Sequence, residues 1–212
     1  MKKNMALLVY PEFSMQEISS ICFLFRWLCE QETVVFASSL KPVKSEEGLL
    51  IQPHFTVDQF CIEDYDCLIL PGCSNPSLSI GDEKLITFLQ QFANHPEFLI
   101  GAICSAPMFL SKAGLLKGRK FTNSVPEPGN ELLPFIEHEN HVYEPVVEDG
   151  NIITAMGLAY NEFAIAIVRK LGYDCPDKIL TGVQDDDTIE RYRYILTDEE
   201  LEEFKQAFGV YL

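Results

Sequence analysis

Short apolar runs alternate with segments of helical character along the first half of the chain. Runs at residues 5–10, 33–38, 66–70 and 98–103 have the length and the apolar or β-branched composition of strands buried in a parallel sheet. Residues 82–94 carry apolar side chains at helical spacing, and residues 17–30 are also predicted as a helix. This alternation predicts an α/β fold with a doubly wound, mostly parallel sheet.

The second half of the chain adds a hairpin and further helices. Residues 144–148 and 151–155 flank Asp149-Gly150, a dipeptide that favours a tight turn between antiparallel strands. Helices are predicted at residues 108–115, at residues 163–171, and from a capping-box pattern at Thr197 and Glu200 through Phe208 to a stop at Gly209. We therefore expect an antiparallel hairpin beside the parallel core and a C-terminal helix.

The length and composition of the chain predict one domain. Its 212 residues are 47% hydrophobic, which is enough to bury one sizeable core and too few to need two. We predict a single domain over residues 1–212, with a core at about residues 5–172 and a C-terminal helical extension at about residues 173–212.

Charge and cysteine usage narrow the expected partners and compartment. The formal net charge of -16 repels nucleic-acid phosphates and anionic membrane surfaces, so neither is an expected partner. No apolar stretch reaches the roughly 18 residues of a membrane-spanning helix. The N-terminal apolar run ends at Pro11 without the cleavage site of a signal peptide. Seven cysteines at irregular spacing do not resemble a disulfide framework, which favours a cytoplasmic location.

The segment GAICSAP at residues 101–107 has the pattern of a nucleophile elbow. It lies between a predicted strand and a predicted helix, and the small residues Ala102 and Ala106 flank Cys104 at the spacing that a sharp, strained turn requires. The positive end of the following helix is expected to lower the pKa of the Cys104 thiol. Cys104 is therefore the candidate nucleophile. The alternative is a buried, inert cysteine at a strand end.

These residues resemble the nucleophile-elbow motif of the ThiJ/PfpI superfamily. That superfamily includes parkinsonism-associated deglycase and chaperone proteins, isocyanide hydratases and PfpI-type peptidases. Further similarity lies at residues 6–13 (ALLVYPEF), 14–18 (SMQEI), 68–72 (LILPG), 112–119 (KAGLLKGR) and 147–155 (VEDGNIITA). The resemblance spans residues 5–172. It implies a three-layer sandwich of the flavodoxin-like, class I glutamine-amidotransferase-like type, and a homodimer.

The resemblance also assigns roles around Cys104. It implies that Glu17 hydrogen-bonds the Cys104 sulfur, and a carboxyl group next to a negative sulfur and partly removed from water stays protonated more readily. The alternative is an ordinary surface glutamate in the first turn of a helix. Backbone donors near Gly72, Cys73 and Ser105 are expected to bind an oxyanion.

Two departures from the family pattern bear on the chemistry. Many catalytic members carry a histidine about twenty residues after the cysteine, where this chain has Asn123 and Ser124. Neither residue shuttles protons near neutral pH as imidazole does, so a hydrolytic Cys-His dyad is disfavoured. Cys73 stands where relatives commonly have glycine. One hypothesis is that Cys73 resolves an oxidised Cys104 as a disulfide; the alternative is a small residue tolerated in a loop.

The remaining histidines do not suggest a metal site. His54, His95, His138 and His141 lie in predicted loops or exposed stretches, and their default position is the surface. His138 and His141 have the spacing of a metal pair but lack a third ligand at a suggestive position. We expect no metal and no cofactor.

Two classes of function follow. The first is an enzyme in which Cys104 attacks a small electrophilic carbonyl compound. The resemblance implies a cysteine-dependent hydrolase or lyase of glyoxalase or deglycase type. Peptide hydrolysis is disfavoured because it demands protonation of a poor leaving group. The second is a non-enzymatic oxidative-stress sensor, chaperone or ligand-binding protein, which the missing histidine favours. A fused helix-turn-helix regulator is disfavoured because the C-terminal tail is short and acidic.

Overall fold

A seven-stranded sheet forms the centre of the fold within residues 4–179. The structure, a computed structural model, describes residues 4–180, 197–199, 201–202 and 206. Its strands are β1 (Asn4–Leu8), β2 (Thr33–Ala37), β3 (Val43–Lys44), β4 (Leu50–Ile51), β5 (Phe55–Thr56), β6 (Tyr65–Leu70), β7 (Leu99–Ile103), β8 (Val146–Asp149) and β9 (Ile152–Ala155). The seven strands follow the order β5-β2-β1-β6-β7-β9-β8, and β3 pairs separately with β4.

The sheet is parallel except at one edge. Strands β5, β2, β1, β6, β7 and β9 pair in parallel, whereas β8 pairs antiparallel with β9. Strand β1 begins the sheet near its middle, and later strands are added on both sides of it. The predicted doubly wound sheet and the antiparallel hairpin are both confirmed.

Two helical layers cover the sheet. The helices are α1 (Gln16–Trp27), α2 (Glu83–Gln90), α3 (Pro107–Lys112), α4 (Glu127–Leu132) and α5 (Tyr160–Lys170). Helix α1 packs against α5, and α2 packs against α3. Every residue of β7 is buried, as are the last four residues of β1, so the core lies where the central strands meet these helices. The three-layer sandwich expected from the sequence is confirmed.

Several short elements lie outside the predicted set. Strands β3, β4 and β5 are two residues long, which is too short for an alternating pattern to be visible in the sequence. Helix α4 has the sequence EPGNEL, whose proline and glycine are weak helix formers. Helix α1 ends three residues before the predicted boundary at residue 30, where Glu30 has a positive φ of 55°.

The chain divides into two compact units at residues 179 and 180, and the sheet belongs to the first. In the second unit the predicted last helix is present at the described positions 198–199, 201–202 and 206, where the Leu201 N–H donates to the Thr197 carbonyl. Glu200, Phe208 and Gly209 lie outside the described residues. The single-domain boundary and the limit at residue 172 stay predictions. Within the described part of the chain, no helix is long and apolar enough to cross a membrane.

Gly101 tests the packing of β7 against its helical layer. A methyl group at Gly101 would lie 2.7 Å from Ile167 Cδ1 and 2.8 Å from Phe163 Cζ, both on α5. We expect Gly101→Ala to lower the free energy of unfolding by about 1–3 kcal/mol, because overpacking forces side chains off their preferred rotamers. Urea unfolding followed by circular dichroism measures the change. The matched control is Gly81→Ala, which enters open space; equal losses in both variants would contradict this account.

Candidate active site

The carboxyl ends of three adjacent strands bring the candidate residues together. Leu70 at the end of β6 pairs with Ala102 of β7, and Ile103 at the end of β7 pairs with Ala155 at the end of β9. The residues that follow these strands therefore meet at one edge of the sheet. The loop after β1 reaches the same edge, at the point where the sheet grows in both directions, which is where open α/β sheets commonly bind ligands.

Cys104 lies on a strained turn directly after β7. Its φ angle is +62°, a left-handed conformation that is uncommon for residues other than glycine and costs on the order of 1–3 kcal/mol. Backbone hydrogen bonds hold it there: the Cys104 N–H donates to the Ala155 carbonyl at 2.8 Å, and the Ser124 N–H donates to the Cys104 carbonyl at 2.9 Å. Ala102 and Ala106 are fully buried beside it. The strained strand-to-helix turn expected from the sequence is thus present.

Glu17 is buried against the Cys104 sulfur. Only 8% of this glutamate is exposed, so it is not an ordinary surface residue of α1. Its carboxyl group is hydrogen-bonded to the Cys104 sulfur, and the Gly72 N–H donates to its Oε2 at 2.7 Å. The expected contact between the thiol and the carboxyl group is therefore made.

Two glycines enclose this pair. A methyl group at Gly72 would lie 2.5 Å from Cys104 Cβ and 2.6 Å from Glu17 Oε2. A methyl group at Gly157 would lie 2.8 Å from Glu17 Oε1 and 3.0 Å from Cys104 Sγ. Any larger residue at either position would displace the thiol or the carboxyl group. The contact thus depends on close approach of the backbone from two sides.

Burial dominates the protonation of both groups. It raises the pKa of Glu17 from 4.5 to about 7, with smaller contributions from the charges of Glu46 and Glu47. Burial, followed by the negative charge of Glu17, raises the pKa of Cys104 from 9.0 to about 12. The expectation that the helix end lowers the thiol pKa is therefore wrong. Helix α3 has only six residues, and its partial charge does not outweigh desolvation and a neighbouring carboxylate.

Ser124, which the resemblance places at the position of the family histidine, contacts the Cys104 sulfur. Its Oγ accepts a hydrogen bond from the Gly157 N–H at 2.9 Å, and its hydroxyl donates to the Cys104 sulfur. Asn123 is buried and faces elsewhere, because its side chain exchanges hydrogen bonds of 2.9 and 3.3 Å with Asn130 of α4. Of the two residues at this position, Ser124 is the one that touches the sulfur.

The expected oxyanion donors are engaged within the protein. The Gly72 N–H is taken by Glu17, and the Cys73 N–H donates to Ser105 Oγ at 2.9 Å. The Ser105 hydroxyl in turn donates to the Cys73 carbonyl at 3.1 Å, while the Ser105 N–H donates to the Cys104 sulfur. An oxyanion at these donors would have to replace a carboxylate, a hydroxyl or the sulfur.

Cys73 is a buried thiol beside the site. Its sulfur lies 3.6 Å from Ser105 Oγ, and burial raises its pKa to about 11. Cys73 and Cys104 are both free thiols in the structure. The disulfide between them stays a prediction.

The histidines lie apart from the groups that contact the sulfur. His141 packs edge-on against the rings of Phe121 and Tyr143, His138 is exposed, and the His54 Nδ1 accepts the Val35 N–H at 2.9 Å. Among the described residues, no group of three or more His, Cys, Asp and Glu side chains could hold a metal ion.

Two further residues at the carboxyl ends of the strands, Gly157 and Tyr10, were not predicted as site residues. Gly157 lies two residues after the end of β9, and the parallel pairing of β9 with β7 is the signal that places it next to Cys104. Tyr10 follows β1; its hydroxyl donates to the Pro71 carbonyl, and its ring lies 4.7 Å from that of Phe109. Burial raises the pKa of Tyr10, so the tyrosine hydroxyl stays neutral and donates its hydrogen bond to Pro71, the residue before Gly72.

The raised pKa of Glu17 predicts a pH-dependent gain in stability on its replacement. The folded state holds the Glu17 proton more tightly than the unfolded state, so this stabilisation is complete below about pH 4.5 and is lost as the pH rises through about 7. At 1.36 kcal/mol per pH unit the loss approaches about 3 kcal/mol. Glu17→Gln keeps an acceptor for the Gly72 N–H, and we expect it to be more stable than wild type at pH 8 and nearly equal at pH 4.5.

Urea unfolding at the two pH values measures this difference. The control is Glu162→Gln, which replaces an exposed acid in the first turn of α5 and should show no such gain at pH 8. A Glu17→Gln variant that is less stable than wild type at pH 8 would show that the Glu17 carboxylate is net stabilising.

Comparison with known proteins identifies the family to which the chain belongs. The family model described as the DJ-1/PfpI family matches residues 3–170. The protein DJ-1beta of Drosophila melanogaster is 30% identical over 176 residues, which cover 81% of this chain and 90% of the relative. Protein/nucleic acid deglycase 2 of Escherichia coli is 30% identical over 123 residues, or 58% of this chain and 71% of the relative.

A crystal structure supports the same fold. That of a DJ-1 superfamily protein from Agrobacterium tumefaciens superposes with a TM-score of 0.73, covering 97% of this chain and 98% of the other at 24% identity. The resemblance stated from the elbow motif is confirmed by these matches. The chain belongs to the DJ-1/PfpI family.

Proposed function

We propose that this protein is a cysteine-dependent hydrolase or lyase of glyoxalase or deglycase type, acting on small electrophilic carbonyl compounds. The observation that carries the proposal is the contact between the Cys104 thiol and the Glu17 carboxyl group, whose pKa of about 7 suits a general base near neutral pH. The similarity to an E. coli protein named a deglycase supports the substrate class.

The first chemical step is addition of sulfur to the carbonyl carbon. The Glu17 carboxylate takes the proton from the Cys104 thiol as the sulfur–carbon bond forms and the electron pair of the C=O double bond moves to oxygen. The Glu17 carboxyl group then returns the proton to that oxygen and leaves a neutral hemithioacetal. Because the proton is removed during attack, a thiol with a pKa of about 12 does not have to ionise beforehand.

Protonation of Glu17 also changes the oxyanion donors. A neutral carboxyl group accepts a weaker hydrogen bond than a carboxylate does. When Glu17 carries the thiol proton, its hold on the Gly72 N–H weakens, and this N–H can turn to the oxygen that has gained negative charge. The donor thus becomes available at the moment of attack.

With a dicarbonyl substrate, the same carboxyl group can complete the turnover. Glu17 removes the proton from the carbon that carries the sulfur and delivers it to the neighbouring carbonyl carbon. The hydroxyl proton of the hemithioacetal moves to the neighbouring carbonyl oxygen, so that the hemithioacetal isomerises to the thioester of a 2-hydroxy acid. Water then cleaves the thioester, releasing a 2-hydroxy acid and the Cys104 thiol. Amide hydrolysis is less suited to this site, because Ser124 cannot protonate a leaving amine at neutral pH as a histidine does.

The alternative is a non-enzymatic stress sensor, chaperone or ligand-binding protein. In oxidative sensing, the Cys104 sulfur would react with peroxide to form a sulfenic acid instead of adding to a carbonyl compound. Ligand binding without turnover is separated from catalysis by the experiment below. The cytoplasmic location, the homodimer and the lack of a cofactor remain proposals that rest on composition and resemblance.

Turnover of methylglyoxal, a small neutral dicarbonyl, tests the proposal. We expect wild type to produce lactate at a rate that rises with pH through about 7, as Glu17 becomes ionised. Cys104→Ser should abolish turnover, and Glu17→Gln should lower kcat by about 10²- to 10⁴-fold, the usual contribution of a general base. The control is Cys61→Ser, which removes an exposed thiol and should leave the rate unchanged.

Two outcomes would overturn the enzymatic proposal. One is a rate in Cys104→Ser equal to that of wild type. The other is no lactate formation by unmodified wild type in a buffer in which a parallel sample shows, by alkylation with iodoacetamide, that Cys104 is accessible and reactive; that result would favour binding without turnover.

A further inference from the structure

Three carboxylates border the Cys104 site, and we call Glu12, Glu46 and Glu47 the acidic rim. The Glu47 side chain accepts the N–H groups of Met15 and Gln16 at 3.1 and 3.0 Å, immediately before Glu17 in the sequence. The Glu46 N–H donates to the Phe13 carbonyl at 3.0 Å. The turn between β3 and β4 thus places Glu46 and Glu47 next to the segment that leads into α1, the helix that carries Glu17.

Glu12, the third member of the rim, lies between β3 and the loop after β6. Its φ of +60° is unusual for a residue with a side chain, and three hydrogen bonds hold it: its N–H donates to the Lys44 carbonyl at 2.8 Å, its carbonyl accepts the Ser74 N–H at 3.1 Å, and its Oε2 accepts the Ser74 hydroxyl at 2.7 Å. Ser74 follows Gly72 and Cys73, so Glu12 is fixed beside the loop that contacts the thiol. Strain held in this way is typical of functional sites.

The charges of the rim act on Glu17 and on the Cys73 thiol beside the site. Glu46 and Glu47 raise the pKa of Glu17 through their charge, and Glu46 and Glu12 do the same for Cys73. The same segment also carries Lys44, an exposed cation. The three carboxylates outnumber it, and the formal net charge of -16 adds to their field.

We propose that the acidic rim makes the Cys104 site select neutral and cationic electrophiles and exclude anionic ones such as 2-oxo acids. For substrates, this inference rests on the proposed function. For the reactivity of Cys104 with charged reagents, it does not. A cleft lined by charges of one sign attracts ions of the opposite charge and repels ions of the same charge. At low salt this changes association rates by about ten-fold or more.

Methanethiosulfonates of different charge measure this selection without turnover. The Cys104 sulfur attacks the reagent's sulfenyl sulfur, a disulfide forms, and methanesulfinate leaves. We would compare the cationic trimethylammonioethyl, neutral methyl and anionic sulfonatoethyl reagents at pH 8, reading the peptide that contains Cys104 by mass spectrometry. For each reagent, the rate with Cys104 is divided by the rate of the same reagent with 2-mercaptoethanol, which removes differences in the reagents' intrinsic reactivity. The ratio of the corrected cationic rate to the corrected anionic rate is then independent of the ionised fraction of Cys104.

We expect this ratio to be roughly ten or more at about 10 mM ionic strength and to fall several-fold at about 0.5 M, because salt screens exposed charges. Glu12→Gln and Glu46→Gln should each lower the ratio about two- to three-fold. Glu12→Gln keeps an acceptor for Ser74, and Glu46 is exposed. The matched control is Glu97→Gln, which removes one exposed charge before β7, at the opposite end of that strand from Cys104.

The results separate this inference from the proposed function. A ratio at or below one in wild type, or equal changes in Glu97→Gln and the rim variants, would overturn the rim as the source of selection. The anion glyoxylate can form a hemithioacetal with Cys104 but has no second carbonyl to complete the reaction, so it serves as a competitor of methylglyoxal; we expect it to compete weakly with wild type and more strongly with Glu46→Gln. A rim-dependent ratio of reagent rates without turnover of methylglyoxal would contradict the proposed function and leave the charge selection standing.

Discussion

The contact between the Cys104 sulfur and the Glu17 carboxyl group is the constraint on which the site depends. Two groups that both carry negative charge when ionised are placed together and largely removed from water, which raises both pKa values. With one proton between them the pair carries a single negative charge, whereas two negative charges side by side are strongly disfavoured. The buried pair therefore keeps one proton near neutral pH, and this is the proton that moves from sulfur to oxygen in the proposed addition. That property suits addition to a carbonyl group, in which a proton leaves the nucleophile and reaches the new alcohol.

The fold sustains this arrangement because strain and desolvation are localised at one edge of a rigid sheet. Strand β7 is buried along its whole length and is hydrogen-bonded to β6 on one side and to β9 on the other. The position of its last residue, directly before Cys104, is therefore well constrained. The left-handed turn at Cys104 is then held by hydrogen bonds with the backbone of Ala155, at the end of β9, and of Ser124, in the segment between α3 and α4. Gly72 and Gly157 allow the backbone to close around the pair, and their lack of side chains is a packing requirement here.

Much of this could be predicted from the sequence, and the remainder has physical reasons. The parallel core, the hairpin at Asp149-Gly150 and the elbow at Cys104 are local patterns, so single segments were enough to identify them. The two-residue strands carry no periodicity, and Gly157 could be assigned only once the pairing of β9 with β7 was known. The pKa of Cys104 was predicted in the wrong direction because the helix end is visible in the sequence, whereas the depth of burial is a property of the assembled fold.

The replacement of the family histidine by Ser124 changes how protons can move, and this has a chemical consequence. Ser124 donates a hydrogen bond to the sulfur and accepts one from Gly157, so it keeps the geometry of the pocket without supplying a group that titrates near pH 7. In the proposed reaction Glu17 then acts as base in the addition step and as acid in the next. A single carboxyl group can do this when a proton taken from one atom is delivered to another atom of the same adduct. The site is therefore best matched to additions and proton shifts within one small molecule, and poorly matched to expulsion of an amine.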